Sequence, residues 1–167
     1  METKRFWTCF NGAESELKWG KLSTKEIEKN IESAIKNVDV AKQWEGEVAK
    51  AFSEIDNVRQ VGTKIEYRSN GMTKFEPAGD YDVLTEKYLV ECKNSVTHNA
   101  LTNPKFIEQF EKYLDPKNEK FVNIGNKKVI LAIKDLGQIA PSHYIFKLLE
   151  SKGVQVITNI NNIKKLK

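Results

Sequence analysis

Three charged residues stand in a segment that otherwise predicts β-structure, and their types and spacing could support chemistry. These residues are Asp82, Glu91 and Lys93. The run 87–93 is apolar enough to form a half-buried strand, yet Glu91 and Lys93 are two residues apart and therefore point the same way. Charged side chains are uncommon at half-buried positions. We therefore expect these three to form a site.

The register of a hairpin decides whether the two carboxylates meet. A two-residue turn at residues 86–87 would place Thr85 opposite Tyr88. The same register places Asp82 opposite Glu91, with their Cβ atoms about 4.5–5.5 Å apart. Glu-Lys is not a preferred sequence for such a turn, and a slip by one residue would turn the set to the other face. The function expected for this segment therefore depends on the register.

The chemistry that this group could support is metal-assisted hydrolysis of a phosphodiester. Carboxylate oxygens are the ligands that Mg²⁺ prefers, and a bound cation neutralises phosphate charge and lowers the pKa of a water molecule. Asp82 and Glu91 would supply these oxygens, and Lys93 would orient the nucleophile and stabilise developing negative charge. The alternative is an ordinary solvated hairpin face.

A helix upstream offers a third carboxylate. Apolar residues at helical spacing predict one buried stripe along residues 40–55. The stripe consists of Ala41, Trp44, Val48, Ala51, Phe52 and Ile55. Glu45 and Glu47 flank this stripe, where a carboxylate can face the top of an adjacent sheet. Either acid could instead face solvent.

With these segments the chain resembles the PD-(D/E)xK nuclease superfamily, whose pattern is a helical Glu, then Asp before an apolar strand, then Glu-x-Lys ending the next strand. The matching residues are Glu45, Asp82, Glu91 and Lys93. The resemblance implies an α/β, restriction-endonuclease-like fold with a central mixed sheet flanked by helices. It also implies that these four residues are catalytic and that the three acids bind a divalent metal, Mg²⁺ or Mn²⁺ first and Zn²⁺ as a further candidate.

Two positions of the pattern have competing residues. A similar Glu-x-Glu run in archaeal Holliday-junction resolvases favours Glu45 over Glu47 as the helical ligand. Asp80 is the alternate to Asp82. Within a helix predicted from Pro104 to Leu114, Gln109 resembles a glutamine that faces the site in some nucleases of this superfamily, which implies a substrate-binding or supporting role. The alternative for Gln109 is an ordinary exposed helix residue.

Composition is consistent with a protein that approaches a polyanion. Lysine and arginine number 27 against 23 aspartates and glutamates, a net charge of +4 among 167 residues. Cys9 and Cys92 alone do not make a disulfide framework, and no apolar stretch predicts a membrane segment or a secretory signal. His98 and His143 look isolated, and we predict neither as a metal ligand.

The order of predicted elements gives the organisation of one domain. We expect residues 1–38 to form an irregular arm and a first helix packed on the body, and residues 39–167 to form the nuclease core. The first helix would start at Ser23 and bury Ile27, Ile31, Ile35 and Val38. The uninterrupted apolar run from Val129 to Ile133 predicts a central strand covered on both faces.

The function expected from the resemblance is endonuclease activity on nucleic acid, with DNA favoured over tRNA. The stretch 17–22, followed by a Lys/Glu-rich helix, is similar to tails of large secreted bacterial toxins, including those of contact-dependent growth inhibition. That similarity implies delivery as the C-terminal part of a toxin, action in a target cell's cytoplasm and a cognate immunity protein. The alternatives are a catalytically idle nuclease-fold module and a housekeeping resolvase-like enzyme.

Overall fold

The computed structural model describes residues 4–166, and the chain alternates between strands and helices along this length. The strands are Phe6–Phe10 (β1), Glu16–Gly20 (β2), Val58–Arg68 (β3), Glu76–Thr85 (β4), Tyr88–Ser95 (β5), Lys128–Asp135 (β6) and Val154–Ile157 (β7). The helices are Thr24–Ile35 (α1), Val40–Ser53 (α2), His98–Thr102 (α3), Pro104–Glu108 (α4), Glu111–Leu114 (α5) and Tyr144–Ser151 (α6), followed by a 3-10 helix over Ile160–Lys165.

All seven strands form one sheet in the order β1-β2-β3-β4-β5-β6-β7. Strands β1 to β5 pair antiparallel, whereas β5, β6 and β7 pair parallel. Parallel neighbours need long crossover connections, which α3 to α5 supply before β6 and α6 supplies before β7. The predicted α/β architecture with a central mixed sheet flanked by helices is confirmed.

Two hydrophobic clusters cover the two faces of the sheet. One contains α1, α2 and the 3-10 helix, and the other contains buried residues of α3 to α6. Strand β6 contributes to both, since Ile130 and Ala132 belong to the first cluster and Leu131 and Ile133 to the second. The prediction of a central strand covered on both faces is confirmed.

Helix α2 is anchored against the sheet and against α1. Asp39 caps its N-terminus, and the indole Nε1 of Trp44 donates to the carbonyl oxygen of Ala132 in β6 at 3.1 Å. At Gly46 the two helices come so close that a Cβ would lie 2.6 Å from the backbone nitrogen of Ile35. These contacts fix the depth of α2 on the sheet.

The first helix begins as predicted and ends earlier. Ser23 and Glu26 form a reciprocal capping box at the start of α1. Ile27 and Ile31 are buried, but Val38 is 100% exposed because α1 ends at Ile35. The prediction that Val38 lies on the buried stripe is therefore wrong.

The prediction of an irregular N-terminal arm is also wrong. Strands β1 and β2 form an antiparallel hairpin that extends the sheet, with Leu17 paired to Tyr67 of β3. The turn of the hairpin is held by Asn11, whose side chain donates to the carbonyl oxygens of Glu119 and Phe121. This segment is thus part of the sheet and not an appendage to a core that starts at residue 39. The ends of the two predicted regions, residues 1–3 and 167, lie outside the described residues.

Among residues 4–166, every helix is too short or too polar to span a lipid bilayer.

Candidate active site

The β4–β5 hairpin has the register on which the site depends. Val83 pairs with Val90 and Leu84 with Leu89, which is the register predicted from the two-residue turn. Beyond Val83 the two strands diverge. There the carboxylate Oδ2 of Asp82 accepts the backbone N–H of Cys92 at 2.8 Å. The predicted register is confirmed at these two pairs. The predicted pair of Asp82 with Glu91 is not formed, because the strands separate at Asp82.

An aspartate from outside the hairpin stabilises its unfavourable turn. The carboxylate Oδ2 of Asp56 accepts the hydroxyl of Thr85 at 2.6 Å and the backbone N–H of Lys87 at 2.8 Å. The hydroxyl of Thr85 in turn accepts the N–H of Tyr88 at 2.9 Å. Burial raises the pKa of Asp56, but these hydrogen bonds outweigh it and leave the pKa lowered. The ionised carboxylate therefore fixes the turn.

Asp82 is the most strongly perturbed acid of the site. Burial, together with the charge of Glu91, raises its pKa from 3.8 to about 7. Glu45 raises it further, whereas the N–H of Cys92 and the ammonium of Lys93 act in the opposite direction. The ionised form of Asp82 is therefore disfavoured, by burial first and by the neighbouring carboxylates second.

Both carboxylate oxygens of Glu91 have hydrogen-bond partners. Oε1 accepts from the ammonium of Lys93 at 2.7 Å, and Oε2 accepts from the hydroxyl of Tyr113 at 2.6 Å. Burial and the charge of Glu91 raise the pKa of Tyr113 well above its usual value, so the phenol remains a donor. Burial opposes the charge on Lys93, but Glu91 outweighs it and raises the pKa of this lysine.

Glu45 reaches the site from α2, although only 8% of the residue is exposed. Its two oxygens lie 3.2 and 3.1 Å from the ammonium of Lys42, one turn earlier on the helix. Burial raises the pKa of Glu45, and Lys42 lowers it only in part. Gly62 lies beside this carboxylate, where a Cβ would be in ordinary van der Waals contact with Glu45 Oε2 at 3.6 Å, and its φ of 59° is a backbone conformation that favours glycine.

The two alternate acids, Glu47 and Asp80, have different surroundings. Glu47 pairs with Lys134 of β6 at 3.0 Å, so it is engaged elsewhere. Asp80 is exposed in β4, and its charge acts on both Glu45 and Lys42. The structure therefore places Glu45 with Asp82, with Asp80 at the edge of the site and Glu47 outside it.

Gln109 does not contact the acids. The predicted single helix is divided into α4 and α5, and Gln109 follows the last residue of α4. Its side-chain Nε2 donates to the carbonyl oxygen of Phe106 at 2.9 Å, which completes the helix end. The observed role of Gln109 is local, and the residue of this segment that does reach the site is Tyr113.

Two residues of the site are missing from the expectations drawn from the sequence. Lys42 lies three residues before Glu45, and this helical spacing is a signal for an ion pair that was available. Tyr113 looked like a core residue and is indeed buried, but its hydroxyl also binds Glu91. Periodicity detects the buried ring and gives no information about the hydroxyl.

The expectation that the two histidines are isolated is wrong. His143 Nε2 lies 3.4 Å from His98 Nδ1, and the rings are edge to face. The Nδ1 atom of His143 accepts the N–H of Ile145 at the start of α6. The pair joins the segment after β5 to α6, and neither ring contacts the acids.

The donor set fits a hard divalent cation. Within the described part of the chain, no three His, Cys, Asp or Glu side chains already stand at ion-binding distance. Lys42 and Lys93 instead bind the carboxylates of Glu45 and Glu91. Burial, followed by the charge of Glu91, raises the pKa of Asp82, and a bound cation would favour the ionised form of this carboxylate. Carboxylate ligands suit Mg²⁺ or Mn²⁺ better than Zn²⁺.

The thiol of Cys92 lies between Glu91 and Lys93 along β5. Burial, followed by the charges of Asp82 and Glu45, raises its pKa well above the usual value. In the absence of a bound cation the side chain is therefore a neutral thiol. Cys9 is also a free thiol.

Comparisons of the chain with protein-family models, curated proteins and solved structures gave no significant match.

Proposed function

We propose that this chain is a metal-dependent endonuclease with the restriction-endonuclease-like fold of the PD-(D/E)xK superfamily. The observation that supports the proposal is the arrangement around Asp82, at the point where β4 and β5 separate. Glu91 and Lys93 of β5 and Glu45 of α2 surround it closely enough for each charge to act on its pKa. The types, spacing and order of these residues are those that the superfamily pattern requires.

Each residue of the group has a chemical role in phosphodiester hydrolysis. Asp82, Glu91 and Glu45 would hold the divalent cation, which when bound neutralises phosphate charge and lowers the pKa of a water molecule. The ammonium of Lys93 orients the attacking water and stabilises the negative charge that develops on the phosphate. As the oxygen of the water bonds to phosphorus, one ester P–O bond breaks, and a proton passes from the water to the leaving oxygen through solvent.

Tyr113 and the backbone N–H of Cys92 act as positioning groups. The phenol holds one oxygen of Glu91 while Lys93 holds the other, so this carboxylate has one defined orientation. The N–H of Cys92 orients Asp82 in the same way. Preorganised ligands reduce the reorganisation that binding a cation requires.

The substrate that we propose first is DNA, with tRNA as the alternative, and the similarity to toxin tails and resolvases is the source of both. A role as a delivered toxin, with a cognate immunity protein, is proposed on that similarity alone.

The experiment that tests the proposal is incubation of the purified chain with supercoiled plasmid and with total tRNA. Mg²⁺, Mn²⁺, Zn²⁺ and EDTA are compared for the wild type, Asp82→Asn and Lys93→Ala. We expect cleavage of one substrate with Mg²⁺ or Mn²⁺, and a loss of roughly 100-fold or more in both variants, since each removes a ligand or a charge at the reacting centre.

Glu47→Gln is the matched control, because it removes a carboxylate from the same helix at a position outside the site. We expect it to keep the activity of the wild type. Melting curves accompany each protein so that loss of activity is separated from loss of fold. Folded wild type that cleaves neither substrate with any metal, or equal cleavage by wild type and Asp82→Asn, would disprove the enzyme proposal and favour the idle module.

A further inference from the structure

An unusual concentration of exposed aromatic rings lies on the edge strand of the sheet. Phe6, Trp7 and Phe10 of β1 are 46%, 47% and 71% exposed. Strand β1 has one neighbour in the sheet, β2, so its outer edge is open. Three large rings on a five-residue strand are costly to leave in water. They therefore point to a ligand.

Cations lie directly over these rings. The ammonium of Lys18 lies 4.3 Å from the ring centroid of Phe6, and that of Lys21 lies 4.3 Å from the centroid of Trp7. Consecutive residues of a strand point to opposite faces, so the ring of Phe6 and the ring of Trp7 lie on the two sides of the open edge. Aromatic rings beside ammonium groups are the pattern that binds single-stranded nucleic acid, since bases stack on rings and phosphates bind cations. A surface for an apolar protein partner would have fewer charges at its centre.

A large cleft begins beside this strand and reaches Asp80, at the edge of the candidate active site. Its volume is about 1240 Å³, and Phe6 and Trp19 line it at the hairpin while Gly79 and Asp80 line it at β4. Small-molecule pockets measure roughly 300–1,000 Å³, so a segment of a polymer is the better fit for a cleft of this size. Asp80 also acts electrostatically on Glu45, and this acid therefore links the β4 end of the cleft to the candidate site.

At its hairpin end the cleft has a surplus of positive charge. Lys4, Arg5, Lys21 and Lys64 line it, and within residues 4–166 none of the four forms an ion pair with a carboxylate. Two of the three acids that line the cleft already have partners. Glu26 belongs to the capping box of α1, and Glu66 lies 3.8 Å from Lys18. The third acid, Asp80, is at the active-site end.

We propose that the β1–β2 hairpin and this cleft bind an unpaired, single-stranded segment of the nucleic-acid substrate, with Phe6 stacking on a base at the cleft, Trp7 stacking on a base where the segment passes round the open edge of β1, and the four cations binding phosphates. The proposal rests on the proposed function for the identity of the polymer. It specifies that the enzyme acts next to unpaired nucleotides, such as those of a loop, a flap or a branch, and not on continuous duplex.

The test is a binding measurement that does not require catalysis. Asp82→Asn protein in EDTA is titrated into fluorescein-labelled oligothymidylate, oligouridylate and a blunt DNA duplex, with anisotropy as the readout. We expect the single strands to bind more tightly than the duplex. Comparison of the two single strands decides whether DNA or RNA is preferred.

Variants in that background test the individual contacts. Trp7→Ala and Phe6→Ala should each weaken binding of the single strand by about 5- to 100-fold, the range measured for loss of one stacked base. Trp7→Leu keeps apolar area without a flat ring and should weaken binding similarly. Lys64→Gln should reduce the salt dependence of the logarithm of affinity by about 0.7, the value for one phosphate of a single strand.

Tyr144→Ala is the matched control, because Tyr144 is a 59% exposed aromatic residue on α6, outside the cleft. It should leave affinity unchanged. Equal affinity for duplex and single strands, or wild-type affinity in folded Trp7→Ala and Phe6→Ala, would overturn the proposal and leave this surface to a protein partner. If the single strands bind as expected but the wild type cleaves neither substrate, only the proposed enzyme activity is disproved.

Discussion

The carboxylate of Asp82 accepts the backbone N–H of Cys92 at the position where β4 and β5 stop pairing. The side chain thus replaces a backbone carbonyl as the partner of that N–H, and the strands can separate without leaving a buried donor unpaired. The same hydrogen bond holds the acid next to Glu91. The divergence of the strands and the assembly of the acids therefore have one structural cause.

Asp82→Asn should make the metal-free protein more stable at pH 8. Folding raises the pKa of Asp82 from 3.8 to about 7, so the folded state keeps a proton that the unfolded state has lost between these values. The wild type therefore loses stability as the pH rises from 4 to 7, by up to about 4 kcal/mol for such a shift. Asparagine keeps the acceptor for Cys92 and does not ionise. Urea unfolding in EDTA at pH 5 and pH 8 measures the difference.

One result at pH 8 would contradict this prediction about the stability of Asp82→Asn. If Asp82→Asn is less stable than the wild type there, the buried carboxylate is compensated in the native state and the charge argument fails. Glu47→Gln, which changes an acid paired with Lys134 outside the site, should not reproduce a stabilisation that grows with pH.

Tyr113→Phe should reduce activity by roughly 10-fold and stability by about 1.5–3 kcal/mol, because it removes a buried hydrogen bond to a charged carboxylate. Tyr81→Phe is the matched comparison, since its buried hydroxyl donates to the carbonyl oxygen of Val122 at 2.7 Å, away from the acids. It should lose stability and keep activity per folded molecule. Steady-state cleavage and denaturant unfolding are measured for both variants. Equal activity in the two would show that Tyr113 has no positioning role.

Asp56→Ala should loosen the β4–β5 turn and thereby lower the activity of the site. The substitution removes the acceptor for Thr85 and for the N–H of Lys87, at a cost of about 1–3 kcal/mol. Faster hydrogen exchange of the amides of Lys87 and Tyr88 would report the loosened turn, together with lower cleavage activity. Asp39→Ala, which removes the cap of α2, is the comparison for a similar loss of stability elsewhere. Unchanged exchange at the turn would contradict the role assigned to Asp56.

Gly46→Ala should destabilise the protein although alanine favours helices by about 1 kcal/mol over glycine. The added Cβ would lie 2.6 Å from the backbone nitrogen of Ile35, and a backbone atom moves only if the helices separate. Overpacking of this kind costs about 1–3 kcal/mol, so the clash should exceed the gain in propensity. Gly20→Ala, where a Cβ meets no atom within 4 Å, should change the melting temperature little. A higher melting temperature for Gly46→Ala would show that the helices are less tightly packed than described.

Sequence patterns were informative where neighbouring residues decide the structure. The register that brings Asp82 towards Glu91 follows from a turn of two residues, and the central position of β6 follows from an uninterrupted apolar run. The β1–β2 hairpin is a local pairing with Asn11-Gly12 in its turn, but its place in the sheet could not be found in this way, because Leu17 pairs with Tyr67 across a long stretch of chain. Local composition gives little information about such distant pairing.

The same distinction between local patterns and distant contacts applies to the candidate site. Spacing within the hairpin and within α2 identified Asp82, Glu91 and Glu45 as a possible group. The contacts that orient them come from Tyr113 and from the turn-binding Asp56, which belong to other elements and are brought in by folding. Tertiary hydrogen bonds of this kind have no short sequence signature.

The docking of α2 has a consequence for metal selectivity. Trp44, which donates to the carbonyl oxygen of Ala132, is the residue directly before Glu45. The bond that holds the helix on the sheet therefore also sets how far Glu45 stands from Asp82. Mg²⁺ requires nearly ideal octahedral coordination, whereas larger cations accept irregular shells. In the proposed metal site, discrimination between cations would thus be a property of helix packing as much as of the carboxylates themselves.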